Sequence, residues 1–322
     1  MKKLRQVVCW LTVTISSLLI TIFLVYFQID GMVVNQIAIN GVISRHGESV
    51  YMARVLGPWV CHLLQTWMPL STAITLIGTI CLASSASLWI MFGMRRERVG
   101  LGAGLALCSC ALFALCSLTE DKHTYILPWD WISVLAMTML SISLTERNIS
   151  NLFLIAFAIQ LFNRESVMYI AVFPILAGVL DSHPADKQKI MLGMFLGILA
   201  SCTILVLRLT SQGSGGQYFT LARNLSYMVD PNWYGRYFIL IAIVAIIIFL
   251  RWAWSSLLWP RTTASIITLI TGATFSFGMI DEYRVWIDLM PIIVLLIAST
   301  QLNRVKQYVN KASASTIIGA ID

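Results

Sequence analysis

The chain has 322 residues, 58% of them hydrophobic and only 11% charged, with mean hydropathy +0.80. A soluble domain covers itself with about a quarter charged residues, so this composition excludes a water-soluble globular protein and makes lipid the solvent for most of the chain. The net charge of +7 does not point to nucleic acid, because the basic residues sit in short clusters between apolar runs, with no aromatic–basic platform and no zinc pattern.

Lys2-Lys3-Leu4-Arg5 precedes an apolar run from Val7 to Phe27. At about 20 residues it spans a hydrocarbon core of about 30 Å, and no small-residue cleavage site follows. It reads as an uncleaved first helix with a cytoplasmic N-terminus. Further helices are expected at about 70–92, ending at Arg95, Arg96 and Arg98, and then at 99–118 and 129–145. The stretch 149–180 is too long for one span and is interrupted by Asn163-Arg164-Glu165, so it divides into short helices at 149–163 and 166–180. Helices at about 190–208, 237–250, 263–280 and 285–301 complete the set.

The expected fold class is all-α: a polytopic membrane helix bundle of about ten transmembrane helices, forming a single domain over 1–322. Its long outer loops are about 28–69 and 209–236, and a basic cytoplasmic tail covers 302–322. The first outer loop carries an amphipathic stretch, Tyr51 to Trp67, expected to lie in the interface. Ten spans put both termini in the cytoplasm. They place fourteen Lys and Arg inside and eight outside, the bias that membrane orientation follows. The seven cysteines lie in apolar or amphipathic segments without CxxC spacing and read as small core residues, not as metal ligands or a disulfide framework.

The acidic residues run the other way, ten outside and five inside in this topology. A charge at membrane depth costs about 2.5–3.5 kcal/mol on insertion scales and faces a cavity or a partner. Asn163, Arg164 and Glu165 interrupt two apolar runs with almost no loop around them; either they form a hydrated turn or they line an outward polar cavity. Asp281-Glu282-Tyr283-Arg284 makes a second break, with Asp288 one turn beyond Arg284, so that the two could pair on a helix face. Arg45, His46 and Glu48 lie in the first outer loop, as does Arg54, whose stem can follow apolar surface while its head faces a cavity. Asp130 sits between Trp129 and Trp131 at the mouth of the fourth helix, where the rings form an interfacial belt or stack on a sugar. Arg236 closes the second outer loop. No Ser-His-Asp spacing, HExxH, P-loop or Rossmann glycine pattern is present.

Several of these features resemble bacterial multispan proteins of cell-surface glycan assembly. They are an acidic residue just after helix 1 (Asp30), Arg54 to Pro58, the Asn163 to Glu165 break, and the acidic-Tyr-Arg turn before a proline-bearing last helix, Asp281 to Pro291. The chain is similar to the GT-C class of integral membrane glycosyltransferases and to O-antigen-type polymerases. It departs from the larger members in having no soluble C-terminal domain and no paired acids after helix 1.

The resemblance implies transfer of a sugar from a polyprenyl-phosphate-linked donor to a glycan or lipid acceptor, on the periplasmic face of a bacterial inner membrane. Catalytic candidates are Asp30, Glu48 and Glu165. Substrate-binding candidates are Arg45, Arg54, Asp130, Asn163, Arg164, Arg236, Glu282, Arg284 and Asp288. No metal ligand is assigned; a divalent cation is left open as the only cofactor. Membrane lipids are the other partners. Carboxylates would serve as general base and arginines would meet the leaving phosphate. A glycan polymerase, a transporter or flippase of lipid-linked or small polar substrates, and a non-catalytic assembly factor are the alternatives.

Overall fold

The computed structural model describes residues 2–26, 31–46, 54–96, 98–117, 127–146, 149–182, 184–210, 220–230, 234–277 and 283–301. Among them there is helix and no strand. In chain order the helices are α1 (Lys2–Tyr26), α2 (Gly31–Ser44), α3 (Leu56–Gln65), α4 (Leu70–Arg95), α5 (Val99–Ser117), α6 (Pro128–Ser143), α7 (Asn151–Leu161), α8 (Val167–Leu180), α9 (Lys187–Leu209), α10 (Leu221–Val229), α11 (Gly235–Ala253), α12 (Pro260–Phe277) and α13 (290–301). A 3-10 segment, Tyr283–Leu289, leads into α13.

Local chemistry sets the boundaries. Ser150 caps α7, its hydroxyl accepting from Phe153 N. Asp186 caps α9 through Gln188 N and Lys189 N. Proline opens α6 and α12 at the first helical position, where its missing N–H costs nothing. The cap of α12 comes from another helix: Asp181, just past α8, accepts from Arg261 N at 3.3 Å and Thr262 N at 2.8 Å.

These contacts define two ends. At one, Arg95 and Trp259 both reach Glu146, Asp181 holds α12, and Ser256 donates to the Ser299 carbonyl. At the other, Leu56 N donates to the Phe162 carbonyl at 2.7 Å, Arg45 reaches the end of α9, and Thr220 N donates to the Ser276 carbonyl. They are called the Glu146 end and the Glu165 end below.

α6 is the central helix; of its residues only Leu135 and Met139 escape full burial. Its hydroxyls are satisfied locally, Thr138, Ser141 and Ser143 each donating to the carbonyl four residues back. α4 packs on α1, α5 and α6. Where α4 meets α5, a Cβ on Gly93 would lie 2.5 Å from the Gly102 backbone, the close backbone approach that small residues permit between apolar helices.

α9 and α11 are peripheral and display apolar faces. Phe195, Ile198, Leu205, Ile241 and Ile247 are more than half exposed, a continuous apolar surface that water does not tolerate at this extent. Among the described residues three helices, α4, α9 and α11, are long and apolar enough to cross a membrane.

The division of 149–180 into two short helices matches α7 and α8. Three expectations are modified. The described residues of the 28–69 stretch hold two helices, not one: α2 precedes the amphipathic stretch, which carries α3. α3 buries Gly57, Pro58 and Cys61 and exposes Trp59 and Leu63. The 209–236 stretch contains α10, whose buried Asn224 donates to the Phe275 carbonyl at 2.7 Å. The start of the last helix is 3-10 over Tyr283–Leu289, so the i, i+4 alignment of Arg284 with Asp288 does not hold there.

Candidate functional site

At the Glu165 end the break between α7 and α8 carries Asn163, Arg164 and Glu165, and each of these points to a different partner. The result is two tiers of charge.

The inner tier is buried. Asp130 opens α6 and is fully enclosed; its Oδ2 accepts from Leu127 N at 2.9 Å, tying down the first turn, where a carboxylate also complements the helix dipole. Its Oδ1 meets Arg164 Nη1 at 3.3 Å. The same guanidinium nitrogen lies 3.7 Å from Asp288 Oδ1, which also accepts from Ser133 Oγ at 2.6 Å. Gln160 Nε2 donates to Ser133 Oγ at 2.6 Å and to Ser166 Oγ. Asn163 Nδ2 bridges the Trp129 carbonyl at 2.9 Å and Gln160 Oε1 at 3.2 Å. Residues of α6, α7, the break and the 3-10 segment thus form one polar network inside an apolar bundle. Two carboxylates share one guanidinium.

The outer tier joins two guanidiniums to one carboxylate. Glu165 Oε2 accepts from Arg54 Nε and Oε1 from Arg208 Nη2, both at 3.2 Å. The side chains of Glu165, Arg54 and Arg208 are 27%, 16% and 39% exposed, so this tier is the more open of the two to solvent. Burial pushes the Glu165 carboxyl up, but Arg54, the residue's own backbone N–H, Arg208 and Arg164 outweigh it and hold it below the usual carboxylate range. Glu165 therefore stays ionised at neutral pH. Arg54 also lies over the Trp129 ring, 5.5 Å from its centroid.

The segment bearing Arg54 is seated by Gly57, where a Cβ would fall 2.7 Å from Trp129 N and 3.0 Å from Pro128 C. Neither backbone atom can retreat without moving α6. Gly57→Ala is expected to displace α3 and lower the melting temperature in detergent by several degrees, consistent with an overpacking cost of about 1–3 kcal/mol. An unchanged melting curve would show that α3 is not held this way.

Of the residues singled out in the sequence, Arg54, Asp130, Asn163, Arg164, Glu165 and Asp288 come together here. Arg45 stands nearby in a bracing role. It ends α2 with φ 62°, a left-handed conformation costly for a residue other than glycine, and its guanidinium donates to the Leu207 carbonyl at 2.5 Å and Thr210 Oγ1 at 2.6 Å, at the end of α9. Arg236 belongs to the α10–α11 connection, donating to the Asp230 carbonyl and to Tyr237 Oη. Asp30, Glu48 and Glu282 lie outside the described residues, as does the side chain of Arg284. No group of three or more metal-ligating side chains occurs among the described residues.

Trp129 and Trp131 are fully buried, Trp131 against Phe113 at 4.5 Å between centroids. They form neither an interfacial belt nor an open stacking platform. Sequence reasoning missed Arg208, Ser133 and Gln160 as members of the site. The available signal was a lone Gln or Arg within an otherwise apolar helix.

Compared with known protein families, with curated proteins and with solved structures, the chain matches none of them.

Proposed function

We propose that the protein is a GT-C-like membrane glycosyltransferase that takes a sugar from a polyprenyl-phosphate-linked donor during assembly of a surface glycan. The observation that carries this reading is the outer tier: Arg54 and Arg208, far apart in sequence, meet over one carboxylate at the partly exposed end of an apolar bundle. Two guanidiniums converging on one carboxylate are the kind of donor set that suits a phosphate at the level of a bilayer headgroup.

In this reading ten helices cross a bacterial inner membrane: α1, α4 to α9, and α11 to α13. Both termini are cytoplasmic and the Glu165 end faces the periplasm. Arg54 and Arg208 stabilise charge developing on the leaving lipid phosphate. Glu165 keeps the two arginines together against their mutual repulsion. Asp30, with Glu48 second, is the general base that takes the proton of the acceptor hydroxyl. The inner tier fixes the α6–α7–α8 geometry beneath them and touches no substrate.

The sidedness and the reaction are tested together. A cysteine at Trp67 should react with an impermeant thiol reagent from outside the cell, and one at Arg96 only after the membrane is opened. Cells carrying Asp30→Asn, Glu165→Gln or Arg54→Ala at normal protein levels should lose the glycan product. Wild-type glycan in all three would sink the enzyme reading and favour an assembly factor.

A further inference from the structure

At the Glu146 end, remote from the two charge tiers, α4, α6 and α7 enclose a cavity of about 280 Å³. Leu88, Met91 and Phe92 from α4, Ile142 from α6 and Leu152 from α7 give it an apolar wall, to which Ser150 and Asn151 add two polar side chains. At its rim Arg95 and Glu146 pair at 3.4 Å, with side chains 66% and 31% exposed. A pair this exposed holds weakly, so Arg95 can exchange Glu146 for another anion. Arg96 adds a second guanidinium 5.6 Å from the centroid of Phe92, the ring that lines the cavity. The other carboxylates described at this end are already engaged: Asp181 by the backbone N–H groups that open α12, and Asp186 by Lys189 at 2.6 Å. What remains is a largely apolar slot whose rim carries two arginines and the carboxylate of Glu146. The volume falls just below the range of pockets for drug-sized ligands, about 300–1,000 Å³, and the wall offers a sugar or nucleotide few hydrogen bonds.

We infer that this cavity is a binding site for an anionic phospholipid, one acyl chain lying along the α4–α6–α7 wall and the phosphate held by Arg95 and Arg96. The inference is independent of the glycosyltransferase reading and requires only that the bundle sits in a bilayer. A basic rim over an apolar cleft between helices is the combination that selects an anionic headgroup joined to a hydrocarbon chain.

Native mass spectrometry of the full chain in mild detergent tests it, with dioleoyl phosphatidylglycerol competing against dioleoyl phosphatidylcholine. Glycerol 3-phosphate serves as the chain-free arm. The wild type should prefer phosphatidylglycerol by roughly 25-fold, the product of roughly fivefold for each of two guanidiniums near an anionic lipid. Arg95→Gln with Arg96→Gln should bring the preference close to one, and Arg95→Lys with Arg96→Lys should keep most of it. Asn151→Trp, which adds bulk to the cavity lining without altering charge, should expel the lipid and leave the melting temperature unchanged. No preference in the wild type would overturn the inference. So would a preference that survives the glutamine pair or Asn151→Trp, or equal competition by glycerol 3-phosphate.

Discussion

Arg164→Gln should be the most destabilising single substitution at the Glu165 end. It removes the guanidinium that the enclosed carboxylates of Asp130 and Asp288 share. Breaking a buried pair by removing one partner costs about 3–5 kcal/mol, a large part of the total stability of most domains. Melting in detergent should fall sharply and protein levels in cells should drop. Asp288→Asn should be much milder, because Arg164 keeps Asp130 and the new amide can still accept from Ser133. Combining Arg164→Gln with Asp288→Asn should recover part of the loss, since it removes one of the two enclosed charges. Equal melting of Arg164→Gln and wild type would show that the inner tier is solvated and not structural.

The outer tier predicts opposite signs for two neighbouring substitutions. Arg54→Gln deletes a charge-assisted donor, worth about 1.5–3 kcal/mol, and should weaken binding of undecaprenyl phosphate by about 10- to 150-fold. Glu165→Gln removes the internal anion that occupies the same two guanidiniums, and should tighten binding. The hydrogen bonds that hold Glu165 between Arg54 and Arg208 are those a phosphate oxygen would take, so the carboxylate and the ligand compete. Were Glu165 the general base instead, its glutamine variant would leave phosphate affinity where it was. Isothermal or mass-spectrometric titration of both variants separates the two roles.

Much of the architecture was legible because an apolar bundle must announce its spans and its interruptions. The break at Asn163 to Glu165 was readable as charge in an otherwise apolar run, and it is where α7 ends and α8 begins. Asp130 and Asp288 stood out for the same reason. What could not be read was partnership. Arg208 looks like an ordinary last-turn arginine, favourable to the helix dipole, until the fold brings Glu165 to it from 43 residues away. Ser133 and Gln160 matter only because α6 and α7 pack antiparallel at that height. α2 and α10 were hidden because each is short, and their apolar residues read as loop-embedded patches. The tryptophans beside Asp130 misled for a related reason: aromatic rings near a helix start suggest an interface, but burial depends on α3 and α5 closing over them.

The most direct measurement is the affinity of the purified full chain for undecaprenyl phosphate against undecaprenol, which share the hydrocarbon and differ in the phosphate. The wild type should bind the phosphate far more tightly, and Arg54→Gln with Arg208→Gln should erase the difference while leaving undecaprenol binding unchanged. Equal affinity for the two lipids in the wild type would contradict the assignment of the Arg54–Glu165–Arg208 tier as the site of a lipid-linked sugar donor.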